Sequence, residues 1–338
     1  MEKPSGSRIL PDGFSVFSFR LTPMIFKRFF RVFMAILPRV LLMLTQKVRN
    51  VGGQAVIEGV MMRGPSKWSV AVRDTKGKIH LKSSGIKRLP GILRMPLIRG
   101  TVALYQALSL GIKAIDFSAS KVFDEEDGGP ISPLAIVTTI GFSFLLGIAL
   151  FILLPLYATR LFGTMTPVIS DNTFIFNLVD GTMRVAVFLV YVFAIGRWKE
   201  MRRIYEYHGA EHKVIHAYEK EEALAPELIH QRYSPRHPRC GTSFLLIVMM
   251  VSIMVFSVVP REWSFYLKFI SRIVMIPLIA GISYEILKLS AKKSSAGLMS
   301  LVTVPGLFLQ RLTTREPDTS QIEVALSALN EVVEETDD

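Results

Sequence analysis

The feature that most constrains this chain of 338 residues is an uncharged apolar stretch at 134–157, "LAIVTTIGFSFLLGIALFILLPLY". A helix of about 20 apolar residues spans the hydrocarbon core of a bilayer. The composition agrees, since 50% of the residues are hydrophobic and the mean hydropathy is +0.38. This apolar stretch and the composition together predict a mainly α-helical membrane protein.

Three further stretches, 174–195, 243–259 and 265–287, bring the expected number of transmembrane helices to about four. Within 174–195, Asp180 and Arg184 lie four residues apart on one helix face, where they can pair. Pro277 and Gly281 are expected to bend the last helix. Residues 22–46 are apolar but contain four Lys or Arg residues. They therefore fit an interfacial amphipathic helix, with a fifth span as the alternative.

The loops between these helices differ strongly in basic residues. Segment 196–242 contains nine Lys or Arg residues, whereas 158–173 contains one, Arg160. Because basic loops stay in the cytoplasm, we expect a multi-pass protein of the cytoplasmic (cell) membrane with both termini cytoplasmic. The net charge of +12 then indicates contact with the lipid bilayer. A nucleic-acid partner is not expected, because no basic run is interleaved with stacking aromatics; membrane-protein partners stay open.

The sequence pattern divides the chain into six consecutive segments. In the second, 68–84 alternates as a β-hairpin around Gly77 and 97–117 has the periodicity of an interfacial helix, so a small N-terminal β-containing, membrane-associated subdomain is expected. An amphipathic helix is expected from residue 318 onward. The segments are a basic amphipathic extension (1–49), this subdomain (50–133), transmembrane helices one and two (134–195), a cytoplasmic loop (196–242), transmembrane helices three and four (243–287) and a cytoplasmic tail (288–338).

Three of the six histidines lie in "YHGAEHKVIHAYE" at 207–219. On a helix with 100° per residue, these histidines and two glutamates fall within about 140° of one face. Donors one turn apart can converge on a divalent transition metal, with Zn²⁺ as the first candidate. The alternative is a solvated polar face with i,i+4 ion pairs. The residues of this face are His208, Glu211, His212, His216 and Glu219.

His208, Glu211 and His212 also match H-x-x-E-H, the inverted zinc-peptidase motif. In that motif the histidines bind zinc and the glutamate accepts a proton from water, so Glu211 is the candidate catalytic base. Glu285, at the cytoplasmic end of the fourth span, is the candidate carboxylate ligand from a distant part of the chain. A closed set of four protein ligands would instead indicate a structural metal.

A second group of ligand-type residues follows in "RHPRCGTS" at 236–243, where His237 and Cys240 have H-x-x-C spacing. This spacing resembles half of a Cys/His zinc site. His208, His212, His237 and Cys240 are therefore expected to be able to form one metal centre. Cys240 is the single cysteine, which excludes an intrachain disulfide. A nucleophilic thiol and an inert buried thiol are its other interpretations.

The segment "GGQAVIEGVMMRGP" at 52–65 is unusually rich in glycine. It is not a phosphate-binding loop, because no G-K-[ST] follows. The first interpretation is a strand at Gln54–Ile57, entered and left through glycine turns. The functional alternative places Glu58 and Arg63 beside the histidine helix as substrate contacts.

Four motifs, "GGQAVIEGVMMRGP", "YHGAEHKVIHAYE", "RHPRCGTSF" and "PGLFLQRLTTREPD", together resemble the YqhQ-like family of uncharacterised bacterial membrane proteins. The resemblance covers about residues 50–330. It implies a multi-pass membrane location and a metal requirement, because the family is usually described as predicted metal-dependent enzymes. It implies no particular reaction.

Three functions remain open on this evidence. The first is a zinc-dependent integral membrane enzyme, most naturally a hydrolase at the cytoplasmic face with a peptide, lipid or phosphoester substrate. The second is a non-enzymatic membrane scaffold or assembly factor with a structural metal. The third is a small transporter, which only the Asp180–Arg184 pair favours.

Overall fold

The computed structural model describes residues 51–87, 90–123, 132–222, 224–237, 240–257, 259–260, 262–290 and 296–333. The predicted extension 1–49, including the interfacial helix 22–46, lies outside the described residues. The structure is mostly helical, with one small antiparallel sheet near its N-terminal end. This coarse architecture agrees with the fold class that the sequence predicts.

The sheet contains four antiparallel strands in sequence order: β1 (Gly52–Val56), β2 (Gly59–Arg63), β3 (Lys67–Arg73) and β4 (Ile79–Gly85). The predicted hairpin at 68–84 is confirmed as β3–β4, and Gly77 in its turn has a φ of +85°. The glycine segment forms a hairpin of its own rather than a single strand. Its turn contains Glu58 at a φ of +51°, and the Glu58 carbonyl accepts a hydrogen bond from the Arg73 N–H at 2.8 Å.

The helices follow the sheet along the chain. Those before the histidine helix are α1 (Ile98–Val122), α2 (Pro133–Ile148), α3 (Leu154–Met165), α4 (Pro167–Asp171) and α5 (Thr173–Ile195). The histidine helix is α6 (Lys199–Glu219). After it come α7 (Pro226–Arg232), α8 (Gly241–Phe256), α9 (Phe265–Val274), α10 (Ile276–Ser290), α11 (Ala296–Thr313) and α12 (Thr319–Val333).

Two helical stretches of the described chain, Val137–Met165 and Thr173–Ile195, are long and apolar enough to cross a membrane. The first continues through a π-helical turn at Ala149–Leu153, directly before Pro155, which lacks the N–H that a regular helix would use. Helices α9 and α10 are long and apolar enough only when they are taken together, and a bend of 45° separates them, so they form a third candidate span if the bent pair is counted as one. The bend lies just before Pro277, close to the place that the sequence predicts. Helix α8 is apolar but about 24 Å long at 1.5 Å per residue, which is short for a span.

A buried polar cluster ties α5 to α9. Asp180 Oδ2 accepts from the Arg184 guanidinium at 3.0 Å, which confirms the predicted pair, and also from the Arg272 guanidinium at 2.9 Å. Asp180 and Arg272 are both at most 2% exposed. Asn177 donates to the Val259 carbonyl at 3.2 Å and so extends the cluster to the segment that follows α8. These contacts make the cluster a link between packed helices, the role that needs no transport activity.

The C-terminal helix α12 packs against the sheet rather than forming a separate tail. Its apolar face, which includes Ile322, Ala325 and Leu329, contacts Val60 and Met62 of β2 in one hydrophobic core. At its rim, Ser69 donates to the Ala328 carbonyl at 2.5 Å and Lys67 pairs with Glu331 at 2.7 Å. The predicted amphipathic helix is therefore present, and its partner is the N-terminal sheet. Each fully buried aliphatic side chain contributes roughly 1.5–3 kcal/mol.

Helix α1 covers the opposite face of the sheet with small residues. Gly111 and Ala114 are buried there, and the Ser118 hydroxyl donates to the Ile57 carbonyl. Toward the start of α1, Gly100 lies so close to Gly281 of α10 that a side chain on either would collide with the neighbouring segment. The sheet thus lies between α1 on one side and α6 with α12 on the other.

Candidate metal centre

Helix α6 has two faces with different chemistry. Tyr207, Ala210 and Val214 are fully buried in the core formed with the sheet and α12. The histidines lie on another face, which is covered by two connecting segments of the chain. Gly209 permits one of these contacts, because a Cβ at this position would overlap with the Arg315 carbonyl oxygen. The spacing of apolar and polar residues on α6 thus fixes both the core and the candidate centre.

Three donor residues from α6 and the start of α8 converge at one point. Among the described residues, one ligand atom each from His208, His212 and Cys240 lie within 4.8 Å of one another. The His208 Nε2 atom is 3.2 Å from the Cys240 sulfur, and the two imidazole centroids are 4.4 Å apart. Of the four residues predicted to form one centre, the structure brings these three together.

Backbone carbonyls orient both imidazoles toward this point. The Nδ1 atom of His208 lies 2.8 Å from the Thr313 carbonyl, and that of His212 lies 2.6 Å from the Pro235 carbonyl. A carbonyl can only accept, so each Nδ1 carries the proton and each Nε2 keeps a free lone pair. Metal-binding histidines are held in this way in known sites.

The Cys240 thiol stands at the N-terminus of α8, where it caps the helix. Its sulfur accepts from the Thr242 N–H at 3.4 Å and from the Thr242 hydroxyl at 3.2 Å. Donors and a helix N-terminus both favour negative charge on the group that they face. Cys240 is only 6% exposed. This environment suits a thiolate ligand.

The donor set fits a zinc-type ion. His212 Nε2 is buried and has no hydrogen-bond partner in the described part of the chain, a costly arrangement for a polar atom unless something binds it. Burial lowers the pKa of His212, which the nearby Cys240 sulfur partly opposes, so the neutral imidazole that binds metals is favoured. Two imidazoles and one thiolate are borderline-soft donors, which Zn²⁺ accepts, and three protein ligands leave one position open.

Glu211 lies next to this centre but is not one of its three donors. Its side chain packs against Gly53 of β1, where a Cβ would be only 2.9 Å from Glu211 Cγ. Burial raises the pKa of Glu211 to about 7, an effect that the His208 charge and the Gly53 N–H partly oppose. Its Oε2 atom is buried without a hydrogen-bond partner among the residues described. The predicted base is therefore placed beside the metal ligands, with one oxygen uncommitted.

His216, Glu219 and His237 form a neighbouring group instead of completing the centre. His237 Nε2 is 3.2 Å from Glu219 Oε2, and His216 Nε2 donates to the Arg236 carbonyl at 2.9 Å. The His237 ring centroid is 5.8 Å from that of His212. The connecting loop turns His237 toward Glu219, and none of these three residues is among the donors that converge in the described part of the chain. That they bind the same ion stays a prediction.

Glu285 also has another role than the predicted one. Its carboxylate receives two hydrogen bonds from the Arg99 guanidinium, one of 2.7 Å from Nε, and a third of 3.2 Å from the Leu97 N–H. It thus joins α1 to α10 and is not among the converging donors. A carboxylate bound in this way is a poorer metal ligand, because three hydrogen bonds take up most of its acceptor sites.

The two residues predicted as substrate contacts, Glu58 and Arg63, bind to different helices. Glu58 pairs with Arg203 of α6, at 2.7 Å between Oε2 and the guanidinium, and accepts from the Tyr207 hydroxyl at 3.2 Å. Glu58 therefore does lie against the histidine helix, as a structural contact. Arg63 instead donates to Gln106 of α1, and burial lowers the pKa of Arg63.

Several residues that position the centre carry no chemical signature in the sequence. Gln310 is fully buried, accepts from the His237 N–H at 2.8 Å and donates to the His237 carbonyl at 2.7 Å. The buried Lys213 ammonium donates to the His230 carbonyl at 2.7 Å and pairs with Glu316. The one available signal was the resemblance of "PGLFLQRLTTREPD" to a family motif, because this segment supplies Gln310 and the Thr313 carbonyl.

The comparisons with known proteins agree with the resemblance drawn from the four motifs. Residues 95–335 match the family model described as "Protein of unknown function (DUF1385)". The chain is 33% identical over 297 residues to "Uncharacterized protein YqhQ" of Bacillus subtilis (strain 168), which covers 83% of this chain and 92% of that protein. No solved structure gives a significant match. The chain therefore belongs to the DUF1385 family, as a YqhQ-like protein of unknown function.

Proposed function

We propose that this protein is a zinc-dependent hydrolase of the cytoplasmic membrane, with its centre at the cytoplasmic face. The observation that carries the proposal is the convergence of His208, His212 and Cys240 within 4.8 Å, with each imidazole oriented by a backbone carbonyl. Surface histidines rarely have both features, and a buried His212 Nε2 without a partner adds a third.

The chain's own residues divide the chemistry. A bound zinc ion would act as a Lewis acid that polarises water or a substrate oxygen. Glu211 would take a proton from water at Oε2 while the water oxygen bonds to the electrophilic substrate atom. When the bond to the leaving group breaks, the same carboxyl returns the proton to that group. Glu211 suits this role because Gly53 leaves it room and its Oε2 atom has no other partner among the described residues.

The membrane assignment is supported by composition and by one structural finding. The apolar stretches Val137–Met165 and Thr173–Ile195 have the length of spans, and the loop of α6 and α7 is rich in Lys and Arg. Arg272 is a basic residue near the outer end of the predicted fourth span, where the positive-inside rule disfavours it. Asp180 pairs with both Arg272 and Arg184, so its carboxylate offsets one of these two buried positive charges. We assign both termini and the centre to the cytoplasmic side on the nine basic residues of segment 196–242.

Metal analysis of the purified full chain tests the proposal most directly. Protein prepared without chelator is expected to contain one zinc ion per chain by mass spectrometry, as a three-residue centre requires. His212→Ala should lose the ion. His216→Ala is the matched control, since it removes a histidine of the same helix outside the converging set, and it should retain the ion. Wild-type protein without bound metal would contradict the proposal.

A scaffold with a structural metal is the second candidate, and the burial of His212 and Cys240 favours it. Glu211→Gln separates the two, because this variant keeps size and hydrogen bonding but removes the proton acceptor. A hydrolase should lose function in a complementation test of a deletion strain while its metal content and membrane abundance stay normal. Full complementation by Glu211→Gln would favour the scaffold.

A further inference from the structure

The strand β1 is at the edge of the sheet. Among the described strands it pairs with β2 alone, with Val56 opposite Gly59, Gln54 opposite Met61 and Gly52 opposite Arg63. In an antiparallel hairpin with a two-residue turn, the pair beside the turn is hydrogen-bonded, and every second pair after it is too. The N–H and C=O groups of the intervening residues, Gly53 and Ala55, therefore point away from β2.

This outer edge of β1 lies next to Glu211, the candidate base of the centre. A Cβ on Gly53 would lie 2.9 Å from Glu211 Cγ and 3.0 Å from Glu211 Cδ, so Glu211 packs against this residue, and the outward Gly53 N–H faces its carboxylate. Glu211 and His212 are 5% and 1% exposed, and each has a buried polar atom without a hydrogen-bond partner in the described chain. A ligand on this edge would thus meet Glu211, the residue that precedes His212 on α6.

Space along the edge is kept open by the residues that line it. Gly53 is needed because a side chain there would collide with Glu211, but Gly52 has no such neighbour within 4 Å. Glycine in a strand often marks a place where another backbone approaches closely. Helix α6 covers one face of β1, and α1 covers the other through Gln54, whose amide donates to the Ala107 carbonyl at 3.4 Å. Neither of these helices adds a strand to the edge.

We propose that β1 binds the substrate as an additional β-strand, and that the substrate is therefore an extended segment of polypeptide. The inference rests on the proposed function and names the substrate class of that same site. The Gly53 N–H faces the Glu211 carboxylate, which leaves the Ala55 N–H and the carbonyls of Gly53 and Ala55 to pair with a ligand. Their spacing, about 6.8 Å for every second residue, matches the backbone of a peptide. A phospholipid or a phosphoester offers no such alternating row. The edge would fix the register of the peptide so that one of its carbonyls faces Glu211 and the three donors.

Hydroxamates test this, because the hydroxamate group binds zinc and can be attached to any backbone. The full chain, loaded with zinc in detergent, is titrated with acetohydroxamate, with octanohydroxamate and with a panel of tripeptide hydroxamates that differ in side chains. The best tripeptide is expected to bind about 100-fold more tightly than acetohydroxamate, as two additional hydrogen bonds allow. Methylation of the backbone nitrogen that faces the Ala55 carbonyl should weaken that binding about tenfold.

A variant of the edge gives an independent measurement on the protein side. Ala55→Pro removes an outward N–H without removing a bond to β2, which is the position where edge strands tolerate proline. It should weaken the binding of the best tripeptide hydroxamate about tenfold and leave the binding of acetohydroxamate unchanged. Ala55→Ser keeps the N–H and is the matched control. An unchanged zinc content in both variants shows that the centre has folded.

The outcomes separate this inference from the proposed function. If acetohydroxamate binds but no tripeptide exceeds it, or if octanohydroxamate equals the best tripeptide, the strand proposal is overturned and the metal centre stands. An affinity for the best tripeptide hydroxamate that is unchanged by methylation or by Ala55→Pro would also overturn the strand proposal. A chain that binds neither zinc nor acetohydroxamate would remove the proposed function and, with it, the site for the peptide.

Discussion

Gln310 is expected to support the metal centre without touching it. Its side-chain amide makes a reciprocal pair of hydrogen bonds with the backbone of His237, at 2.8 Å and 2.7 Å, in a fully buried position. This pair joins α11 to the loop that leads into Cys240. Gln310→Leu keeps the volume approximately but leaves the N–H and the carbonyl of His237 buried without partners.

The expected loss of unfolding free energy follows from these two backbone groups, which lose their hydrogen-bond partners. Each buried backbone group without a partner costs about 1–3 kcal/mol, so the pair costs roughly 2–6 kcal/mol in a rigid site. The loop can move toward water, which places the expected loss of unfolding free energy at the lower end, about 2–4 kcal/mol. Because supporting residues typically change metal affinity 10–100-fold, zinc binding should weaken by about that factor.

The assay is a competition for zinc between the full chain in detergent and a coloured chelator, combined with denaturant unfolding of the metal-free protein. Gln231→Leu is the matched control, because Gln231 is an exposed glutamine of α7, and it should change neither quantity. A Gln310→Leu protein with wild-type zinc affinity and wild-type stability would show that the clamp on His237 does not position the Cys240 loop.

Three further predictions follow from single contacts. Asp180→Asn leaves the buried Arg272 without its anion and should lower the unfolding free energy by about 3–5 kcal/mol, measured by denaturant unfolding; an unchanged value would contradict the contact. Gly209→Ala forces a Cβ into the Arg315 carbonyl and should reduce zinc affinity, measured by chelator competition, because the same segment carries the carbonyl that orients His208; retained affinity would contradict this. Zinc should slow maleimide labelling of the single thiol, Cys240, and equal rates with and without metal would count against its role as ligand.

The sequence was sufficient to predict those features that a single local pattern determines. The apolar stretches 134–157 and 174–195 predicted the two long apolar helices Val137–Met165 and Thr173–Ile195, and the helix angle alone put His208 and His212 on one face. Cys240 was found because its spacing from His237 is that of a ligand pair. Alternation around Gly77 predicted the β3–β4 hairpin, since a turn and two strands are local features.

Contacts between distant segments could not be predicted in this way. The docking of α12 on β2 and β3 joins residues about 260 positions apart, as in the bond from Ser69 to the Ala328 carbonyl, and the amphipathic pattern of α12 does not name its partner. Glu285 was predicted as a ligand because it lies at the cytoplasmic end of the fourth span. That position does not say toward which neighbour the side chain points, and its carboxylate binds Arg99. His237 lies outside the converging donors for a related reason, because spacing fixes separation along the chain and not the rotation of a loop.

The structure gives the donors and the candidate base different supports, although they are neighbours on one helix turn. His208 is oriented by the carbonyl of Thr313, the last residue of α11, and His212 by that of Pro235, in the segment after α7. Glu211 instead packs against Gly53 at the edge of the sheet. Damage to the sheet edge should therefore impair Glu211 and spare the metal, whereas damage near Thr313 should impair the metal first. This separation is why Glu211→Gln and His212→Ala are informative as a pair: a hydrolase requires that they fail for different reasons.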